Sequence, residues 1–233
     1  MDIQVVASGS TGNCYSISDG KTRLLIEAGI PVAEIQRAVG YRLTGCDACL
    51  VTHAHGDHAK HAAALAKKTV DIYASAGTIE ACGLTGHRIH AVKALNRFTI
   101  GTFECLPFDV KHDAPEPLGF LLRSKLTGEK LLYFTDTPLL NYKFPGVQIV
   151  MAECYYDRTT LMEAVESGST PIESIGRICG SHMGLDSLLM VLGANDLSQL
   201  RQIYLIHLSN RHANEQRIKK AIQEATGAEV IVC

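Results

Sequence analysis

Three histidines and one aspartate lie within the six-residue segment 53–58, directly after a short apolar run that reads as a strand. Imidazole and carboxylate together are the ligands that zinc-like ions accept in proteins. Residues two apart in an extended chain point the same way, so His53 and His55 can share one ion while Asp57 and His58 face a second. The segment therefore predicts a metal site at the end of a strand.

The string from Thr52 to His58 resembles the HxHxDH signature of the metallo-β-lactamase superfamily, whose members share a four-layer αββα sandwich. At position 55 the chain has histidine, as the hydrolases of that superfamily do, whereas the flavodiiron oxidoreductases of the superfamily carry glutamate there. The resemblance implies further ligands at later strand ends, and the sequence supplies candidates in the right order. By resemblance, His53, His55 and His112 hold one ion, Asp57, His58 and His207 hold the other, and Asp136 bridges them.

The second half of the chain resembles the RNase Z-like phosphodiesterases of the superfamily. Their order is a glutamate at a strand end, a histidine in a later loop, and a final ligand followed closely by serine. Glu153, His182 and Ser209 match that order. The resemblance implies that Glu153 orients His182, which protonates the leaving oxygen, and we expect these two residues to be catalytic together with Asp57. A positioned acid helps an alkoxide to leave phosphorus, and a nearby carboxylate keeps an imidazole protonated.

Within that branch the chain most resembles the small YycJ/WalJ-type proteins, over nearly its whole length. The glycine-rich opening turn 7–15 and the segment 207–209 carry the likeness. The segment 182–184 departs from the family pattern, because methionine and glycine follow the histidine where leucine and serine are usual. Residues of the opening turn and of the segment after the last ligand are candidate phosphate or base contacts. These candidates are Asn13, Ser209, Asn210, Arg211 and His212.

Length and composition predict one α/β domain over residues 1–233, with the four-layer αββα metallo-β-lactamase sandwich as its fold class. The chain contains no repeat, signal peptide or membrane-spanning apolar run, so we expect a soluble, cytoplasmic protein with reduced cysteines. The sequence leaves the oligomeric state open, with a homodimer as the commonest assembly of soluble proteins. The predicted strands are 2–7, 13–18, 22–27, 48–52, 71–73, 98–108, 117–123, 130–135, 147–152, 200–206 and 228–232. One predicted helix begins at Pro31, and three others cover 58–68, 158–195 and 213–225.

The sequence leaves the phosphodiester substrate open between two classes. A cyclic mononucleotide fits the net charge of −2, from 22 basic and 24 acidic residues, because proteins that grip a polynucleotide cluster Lys and Arg. Phage enzymes that destroy cyclic nucleotide signals resemble the chain in size. The segments between His112, Asp136 and His207 are also too short for the arm of RNase Z or for a β-CASP domain. The YycJ/WalJ resemblance implies instead DNA or RNA cut from an end.

For both substrates the mechanism implied is attack on phosphorus by a hydroxide that bridges two divalent ions, either Zn²⁺ or Mn²⁺. Two other functions are weighed against it. A non-catalytic binding protein of this superfamily would be expected to have lost ligands, whereas all seven are present. A β-lactamase or thioesterase would not need the pair Glu153 and His182.

Overall fold

Residue contacts divide the chain into two compact units, and the computed structural model describes all of residues 1–233. The first unit comprises Met1–Asp109 and Ala114–Glu129. The second comprises Val110–Asp113 and Lys130–Cys233. The prediction of one domain over the whole chain stays a prediction.

A six-stranded mixed sheet forms the framework of the first unit. Its strands, in spatial order, are β1 (Asp2–Ala7), β2 (Cys14–Ser18), β3 (Arg23–Ile26), β4 (Ala48–Leu50), β5 (Asp71–Ser75) and β6 (Ile89–Val92). β1 to β3 pair antiparallel, and β3 to β6 run parallel. The apolar residues of β3 and β4 are fully buried, as expected for short strands in the middle of a sheet.

Four short helices accompany this sheet: α1 (Val32–Ala38), α2 (Gly56–Ala59), α3 (Ala62–Ala66) and α4 (Ala76–Ala81). Ile35 of α1 and Leu65 of α3 share one buried apolar cluster with Leu25 of β3. Burial of each such side chain contributes about 1.5–3 kcal/mol. The prediction of a single helix over 58–68 is wrong, because the His61 amide donates to the Ala28 carbonyl (2.9 Å) and so interrupts the helix between α2 and α3.

Three antiparallel strands complete the first unit: β7 (Phe98–Ile100), β8 (Phe103–Asp109) and β9 (Leu118–Ser124). The single strand predicted over 98–108 is therefore a hairpin. Gly101 turns the chain with a φ of 52°. A Cβ atom at this position would lie 2.2 Å from Thr22 Oγ1, so both the backbone conformation and the close approach require glycine.

The second unit contains four parallel strands in the spatial order β10 (Lys130–Phe134), β11 (Ile149–Glu153), β12 (Gln202–Ile206) and β13 (Glu229–Val232). Its helices are α5 (Arg158–Glu166), α6 (Ser174–Ser181), α7 (Leu185–Gly193) and α8 (Glu215–Thr226). Asp157 and Asn214 begin α5 and α8 by accepting an amide hydrogen bond in the first turn, each at 3.0 Å. The segment 158–195, predicted as helical, is divided into α5, α6 and α7 by the connections 167–173 and 182–184.

Parallel strands bring their carboxyl ends to one edge of a sheet, where ligands commonly bind. In the first unit Glu27 follows β3 and His53 lies three residues beyond the end of β4. In the second unit Glu153 ends β11, His207 follows β12, and Asp136 lies just after β10. The candidate residues therefore lie at the carboxyl-end edge of each unit's parallel strands.

All eight cysteines are free thiols. Most are buried, and burial raises the pKa of the Cys105 thiol to about 12. None of the helices combines the length and the apolar character that crossing a membrane would require.

Candidate metal centre

The segment after β4 brings its histidines close together within the first unit. His53 and His58 are buried, and their ring centroids lie 4.2 Å apart. The rings of His53 and His55 meet edge to face at 4.8 Å, with His55 in an extended conformation just before α2. Asp57 lies in the first turn of α2, where its Oδ2 is 3.3 Å from His58 Nε2. The four predicted ligands of this segment thus adjoin one another.

A buried glutamate anchors this cluster. Glu27 accepts hydrogen bonds from the Thr52 hydroxyl (2.6 Å) and the Thr52 amide (3.3 Å), and its Oε1 lies 3.3 Å from His58 Nδ1. The same hydroxyl lies 2.9 Å from His53 Nδ1. Because the hydroxyl gives its proton to Glu27, it accepts the Nδ1–H of His53. That tautomer leaves Nε2 of His53 unprotonated, as a metal ligand must be.

Backbone contacts and one glycine hold the ligand segment in place. The Asn13 amide donates to the Asp57 carbonyl (2.8 Å), and the Ala28 amide donates to the His58 carbonyl (2.7 Å). A Cβ atom at Gly29 would lie 1.7 Å from the Asp57 carbonyl oxygen, so only glycine fits. The side chain of Asn13, expected to contact substrate, is fully buried and donates to the same Asp57 carbonyl (3.3 Å). In this arrangement Asn13 positions the ligands.

The second unit gathers two carboxylates and two histidines at the ends of its parallel strands and in the loop after α6. One potential ligand atom from each lies within 4.8 Å of the other three. The four residues are Asp136, Glu153, His182 and His207. Only the side chain of His182 is appreciably exposed, at 17%, so it is the member of the cluster that solvent or a substrate can reach.

Three residues at these strand ends adopt left-handed backbone conformations. The φ angles are 51° at Asp136 and 53° at His207 in the second unit, and 66° at Glu27 in the first. A residue other than glycine in this region costs about 1–3 kcal/mol, and such strain persists where the surrounding structure holds it, commonly at functional sites. The sharp turn after each strand is therefore maintained against a local cost.

The pair Glu153 and His182 forms a short contact, with 2.6 Å between Glu153 Oε1 and His182 Nδ1. Asp136 Oδ1 lies 3.1 Å from the same nitrogen. The other oxygen of Glu153 accepts from the Met183 amide (3.0 Å), which fixes the loop against the carboxylate. Burial alone would lower the pKa of His182, but its hydrogen bonds to Asp136 and Glu153 outweigh burial and raise the pKa to about 9.

Two tyrosines shape the loop that carries this histidine. The Tyr155 ring stacks on the His182 imidazole, with 4.0 Å between centroids and 13° between planes. The Tyr155 amide donates to the Met183 carbonyl (2.9 Å). A Cβ atom at Gly184 would lie 2.5 Å from the ring of Tyr156. Glycine at position 184, where the chain departs from the YycJ/WalJ pattern, is therefore the residue that the Tyr156 ring admits.

His112 belongs to the short segment 110–113 of the second unit. The Lys111 amide donates to Thr137 Oγ1 (3.2 Å), which ties this segment to the residue after Asp136. The His112 side chain is buried, and its ring centroid lies 6.0 Å from that of His182. The structure thus places three predicted ligands of the second unit around the loop that carries His182.

The four predicted substrate contacts after His207 divide into two kinds. The Ser209 hydroxyl accepts from the amides of Arg211 (3.3 Å) and His212 (3.2 Å). His212 is buried, with both ring nitrogens within 3.2 Å of a hydroxyl oxygen. Asn210 and Arg211 are exposed. Ser209 and His212 therefore build the turn, whereas Asn210 and Arg211 are the two that a substrate can reach.

The donor sets fit divalent metal ions. The first unit offers three imidazoles and one carboxylate, and the second offers the imidazoles of His112 and His207 with the carboxylate of Asp136. Imidazole and carboxylate ligands suit Zn²⁺ and Mn²⁺, and a ligand histidine is usually oriented by a carboxylate at its second nitrogen. Glu27 lies 3.3 Å from His58 Nδ1, and Glu153 lies 3.5 Å from His207 Nδ1.

Comparison with known proteins identifies the family. Residues 22–208 match the family described as beta-lactamase superfamily domain. The chain belongs to the beta-lactamase superfamily. Among curated members, exodeoxyribonuclease YycJ of Bacillus anthracis is 26% identical over 228 residues, which cover 90% of this chain and 83% of that protein.

Solved structures of the superfamily share the fold. The metallo-β-lactamase fold protein YhfI of Bacillus subtilis gives a TM-score of 0.74 at 17% identity, covering 99% of this chain and 95% of that one. The short form of human tRNase Z gives 0.64 at 15% identity, covering 100% and 96%. The predicted αββα metallo-β-lactamase fold, the resemblance to RNase Z-like and YycJ/WalJ proteins, and the prediction of a metal-dependent hydrolase are confirmed.

Three side chains of this beta-lactamase superfamily member were not predicted to serve the site: Glu27, Thr52 and Tyr155. A signal for Glu27 was present, since it follows the wholly apolar end of β3 as Glu153 ends β11. Thr52 and Tyr155 carried no signal of their own, because their roles depend on neighbours that only the fold brings together.

Proposed function

We propose that this chain is a two-metal phosphodiesterase that removes nucleotides from the end of a DNA strand. The observation that carries the proposal is the 2.6 Å contact between His182 Nδ1 and Glu153 Oε1. Diester hydrolysis expels an alkoxide, which benefits from a positioned acid more than the thiolate leaving group of a thioester does. The similarity to exodeoxyribonuclease YycJ supports DNA as the substrate.

Seven residues would hold the two ions, each Zn²⁺ or Mn²⁺. Following the family resemblance, we assign His53, His55 and His112 to one ion, Asp57, His58 and His207 to the other, and Asp136 to both. When bound, such ions generate a nucleophile from water near neutral pH and neutralise charge on the phosphoryl oxygens. The protein's part is to hold these ligands in the correct protonation state and orientation.

The hydrogen bonds of His182 show which of its two ring protons can be transferred. Glu153 accepts the Nδ1–H of His182, so the proton on Nε2 is the one that can pass to a leaving oxygen. The Met183 amide holds Glu153 in place, and the stacked Tyr155 ring restricts rotation of the imidazole. His182 is therefore a general acid that Glu153 orients.

A cyclic mononucleotide is the second candidate substrate. The near balance of 22 basic and 24 acidic residues favours a small substrate, because a long strand is usually tracked by clustered Lys and Arg. Both reactions break a phosphorus–oxygen bond of a diester, so the same residues serve either.

The test is hydrolysis by the Zn²⁺- or Mn²⁺-loaded protein of cyclic mononucleotides and of end-labelled single- and double-stranded DNA and RNA. We expect stepwise shortening of DNA that His182→Ala reduces at least about 100-fold at unchanged metal content. His87→Ala, which removes an exposed histidine, is the matched control and should retain wild-type activity. Ring opening of cyclic nucleotides with polymers untouched would replace DNA by the second candidate, and wild-type rates in His182→Ala would overturn the assigned acid.

A further inference from the structure

A cleft of about 550 Å³ opens in the first unit beside the strands that carry the ligand segment. Ser75 at the end of β5 and Val92 at the end of β6 line it, together with Phe98 of β7 and Leu118 of β9. Its volume can accommodate a base and sugar, within the usual range of small-ligand sites of about 300–1,000 Å³. None of the predicted ligands or catalytic residues lines it.

The cleft lies at the same sheet edge as the ligand segment. β4, β5 and β6 are neighbouring parallel strands, so their carboxyl ends share one edge. Neighbouring strands are about 4.8 Å apart, which places the end of β6 about 10 Å from the end of β4. The helix after β5 also contacts the ligand segment, since Cys82 Sγ lies 3.8 Å from the Ala54 carbonyl oxygen. A chain bound in the cleft would therefore be one nucleotide or two from that segment.

An ordered aromatic stack borders the cleft. Phe98 lies parallel to Tyr73, with 5.2 Å between centroids and 6° between planes. Tyr73 in turn stacks on His90 at 4.6 Å. Small and apolar residues, among them Ala76 and Val92, continue the wall. A base can pack against such a wall without sequence preference, because every base has a flat apolar face.

Two cations stand on the rim, in the loop between β6 and β7. Lys93 and Arg97 are exposed and line the cleft, and neither forms an ion pair. The nearby Arg88 and Arg123 differ, since each is held by a carboxylate at 2.8 and 3.1 Å respectively. The cations of this rim are therefore available to a phosphate.

Polar groups that line the cleft suit a base. Asp109, Asn96 and Glu116 line it, and one oxygen of Glu116 accepts from the Gly77 amide (2.7 Å). Carboxylates and side-chain amides accept hydrogen bonds from base amino groups. The cleft thus combines an apolar wall, acceptors for a base edge and cations for a backbone phosphate.

We propose that this cleft binds one nucleotide of single-stranded DNA next to the nucleotide being removed, an inference that rests on the proposed function. Lys93 and Arg97 contact the phosphate of that nucleotide, and its base packs against Phe98. The subsite explains how a chain of near-neutral net charge holds a polymer: the basic residues that matter are placed locally and left without carboxylate partners.

The test compares Lys93→Ala/Arg97→Ala with Lys67→Ala/Lys68→Ala, which removes the same charge from exposed residues outside the cleft. Binding of a fluorescent phosphorothioate single-stranded DNA, which resists cleavage, is followed by anisotropy over a range of salt concentrations. We expect the rim variant to weaken binding about tenfold and to lower the salt slope by about 0.7, because one phosphate is no longer neutralised. Phe98→Leu should weaken binding with no change in slope, by about fivefold or more.

Hydrolysis of bis(p-nitrophenyl) phosphate, a diester too small to span both places, separates this inference from the proposed function. A loss of DNA binding and of DNA turnover that exceeds any loss on this small diester supports the subsite. Equal DNA binding by the rim variant and by Lys67→Ala/Lys68→Ala overturns the subsite while DNA hydrolysis itself stands. Tighter binding of single-stranded RNA than of DNA overturns the assigned occupant, and a wild-type protein that binds no strand overturns both proposals.

Discussion

Two buried glutamates, one in each unit, show how the same residue in the same kind of position takes different roles. Glu27 follows β3 and Glu153 ends β11, and both are fully buried at the carboxyl end of a parallel strand. Each carboxylate lies near Nδ1 of a histidine predicted to bind metal, at 3.3 Å from His58 and 3.5 Å from His207. To this point the two regions are alike.

The two glutamates differ in the group that donates their shortest hydrogen bond. Glu27 receives it from the Thr52 hydroxyl (2.6 Å), which does not ionise near neutral pH. Glu153 receives it from the imidazole of His182 (2.6 Å), whose side chain reaches the surface. The carboxylate in the first unit can therefore only orient ligands, whereas the one in the second also controls an acid. The neighbour, and not the glutamate, decides the role.

The largest expected effect is that of Glu153→Gln. The amide keeps the size of the side chain but removes the negative charge that faces His182. The imidazole of His182 is then misoriented, and its pKa falls. We expect phosphodiester turnover to fall about 100- to 1,000-fold, with bound metal close to wild type. Steady-state kinetics and metal analysis by mass spectrometry check it. Loss of metal in step with activity would instead show that Glu153 mainly supports His207.

Glu27→Gln should act through the metal and less severely. Removing the charge that orients His58 and, through Thr52, His53 is expected to weaken metal affinity about 10- to 100-fold. Turnover should return toward wild type at saturating metal, which a chelator competition and a metal titration of activity will reveal. If Glu27→Gln stays inactive with metal fully bound, the contrast between the two glutamates is broken.

The sequence could predict which segments carry the candidate ligands, because each of these segments follows a strand with a strong apolar pattern. The same reasoning missed α4 and β6, since the residues of α4 form no apolar stripe and β6 is only partly buried. The turn at Gly101 between β7 and β8 was also missed, because the close approach of Thr22 that requires glycine there is a contact between distant parts of the chain.

The roles of supporting residues could not be predicted, because they depend on contacts between distant parts of the chain. Thr52 accepts from His53 because its own hydroxyl proton is donated to Glu27, which lies 25 positions away. Asn13 could be taken for a substrate contact because nothing local shows that the Asp57 carbonyl occupies its side chain. The chemistry of single residues is local, whereas their burial is a property of the fold.

A third buried carboxylate, without a histidine beside it, extends the comparison to stability. Asp19 lies at the opposite end of β3 from Glu27 and accepts from the hydroxyls of Thr102 (2.6 Å) and Ser124 (2.7 Å). Burial alone would raise its pKa, but these hydrogen bonds and two from backbone amides lower the pKa of Asp19 to about 2. Its role is therefore structural.

Asp19→Asn is expected to lower the free energy of unfolding by about 1–3 kcal/mol at pH 7. One oxygen of Asp19 accepts from both hydroxyls and the other accepts from two backbone amides, and the NH₂ group of asparagine can accept at neither place. The folded pKa lies below the unfolded value of about 3.9, so the contribution is complete above about pH 4 and is lost as the pH falls toward 2. Urea unfolding at several pH values measures this. Turnover should match wild type, and a large loss of activity would show that the two ends of the strand are coupled.

The smallest expected effect concerns the ring stacked on His182. Tyr155→Leu removes the stacking at 4.0 Å and should lower turnover about 2- to 12-fold, the range that corresponds to about 0.5–1.5 kcal/mol for an aromatic pair. Metal content should change little, because the Tyr155 ring lies closest to the acid and is 5.8 Å from the ring of the predicted ligand His207. Tyr155→Phe keeps the ring and should restore most of the rate. If Tyr155→Phe is as slow as Tyr155→Leu, the hydroxyl and not the stacked ring is what the acid needs, and the second unit would then resemble the first, where a hydroxyl links a carboxylate to its histidine.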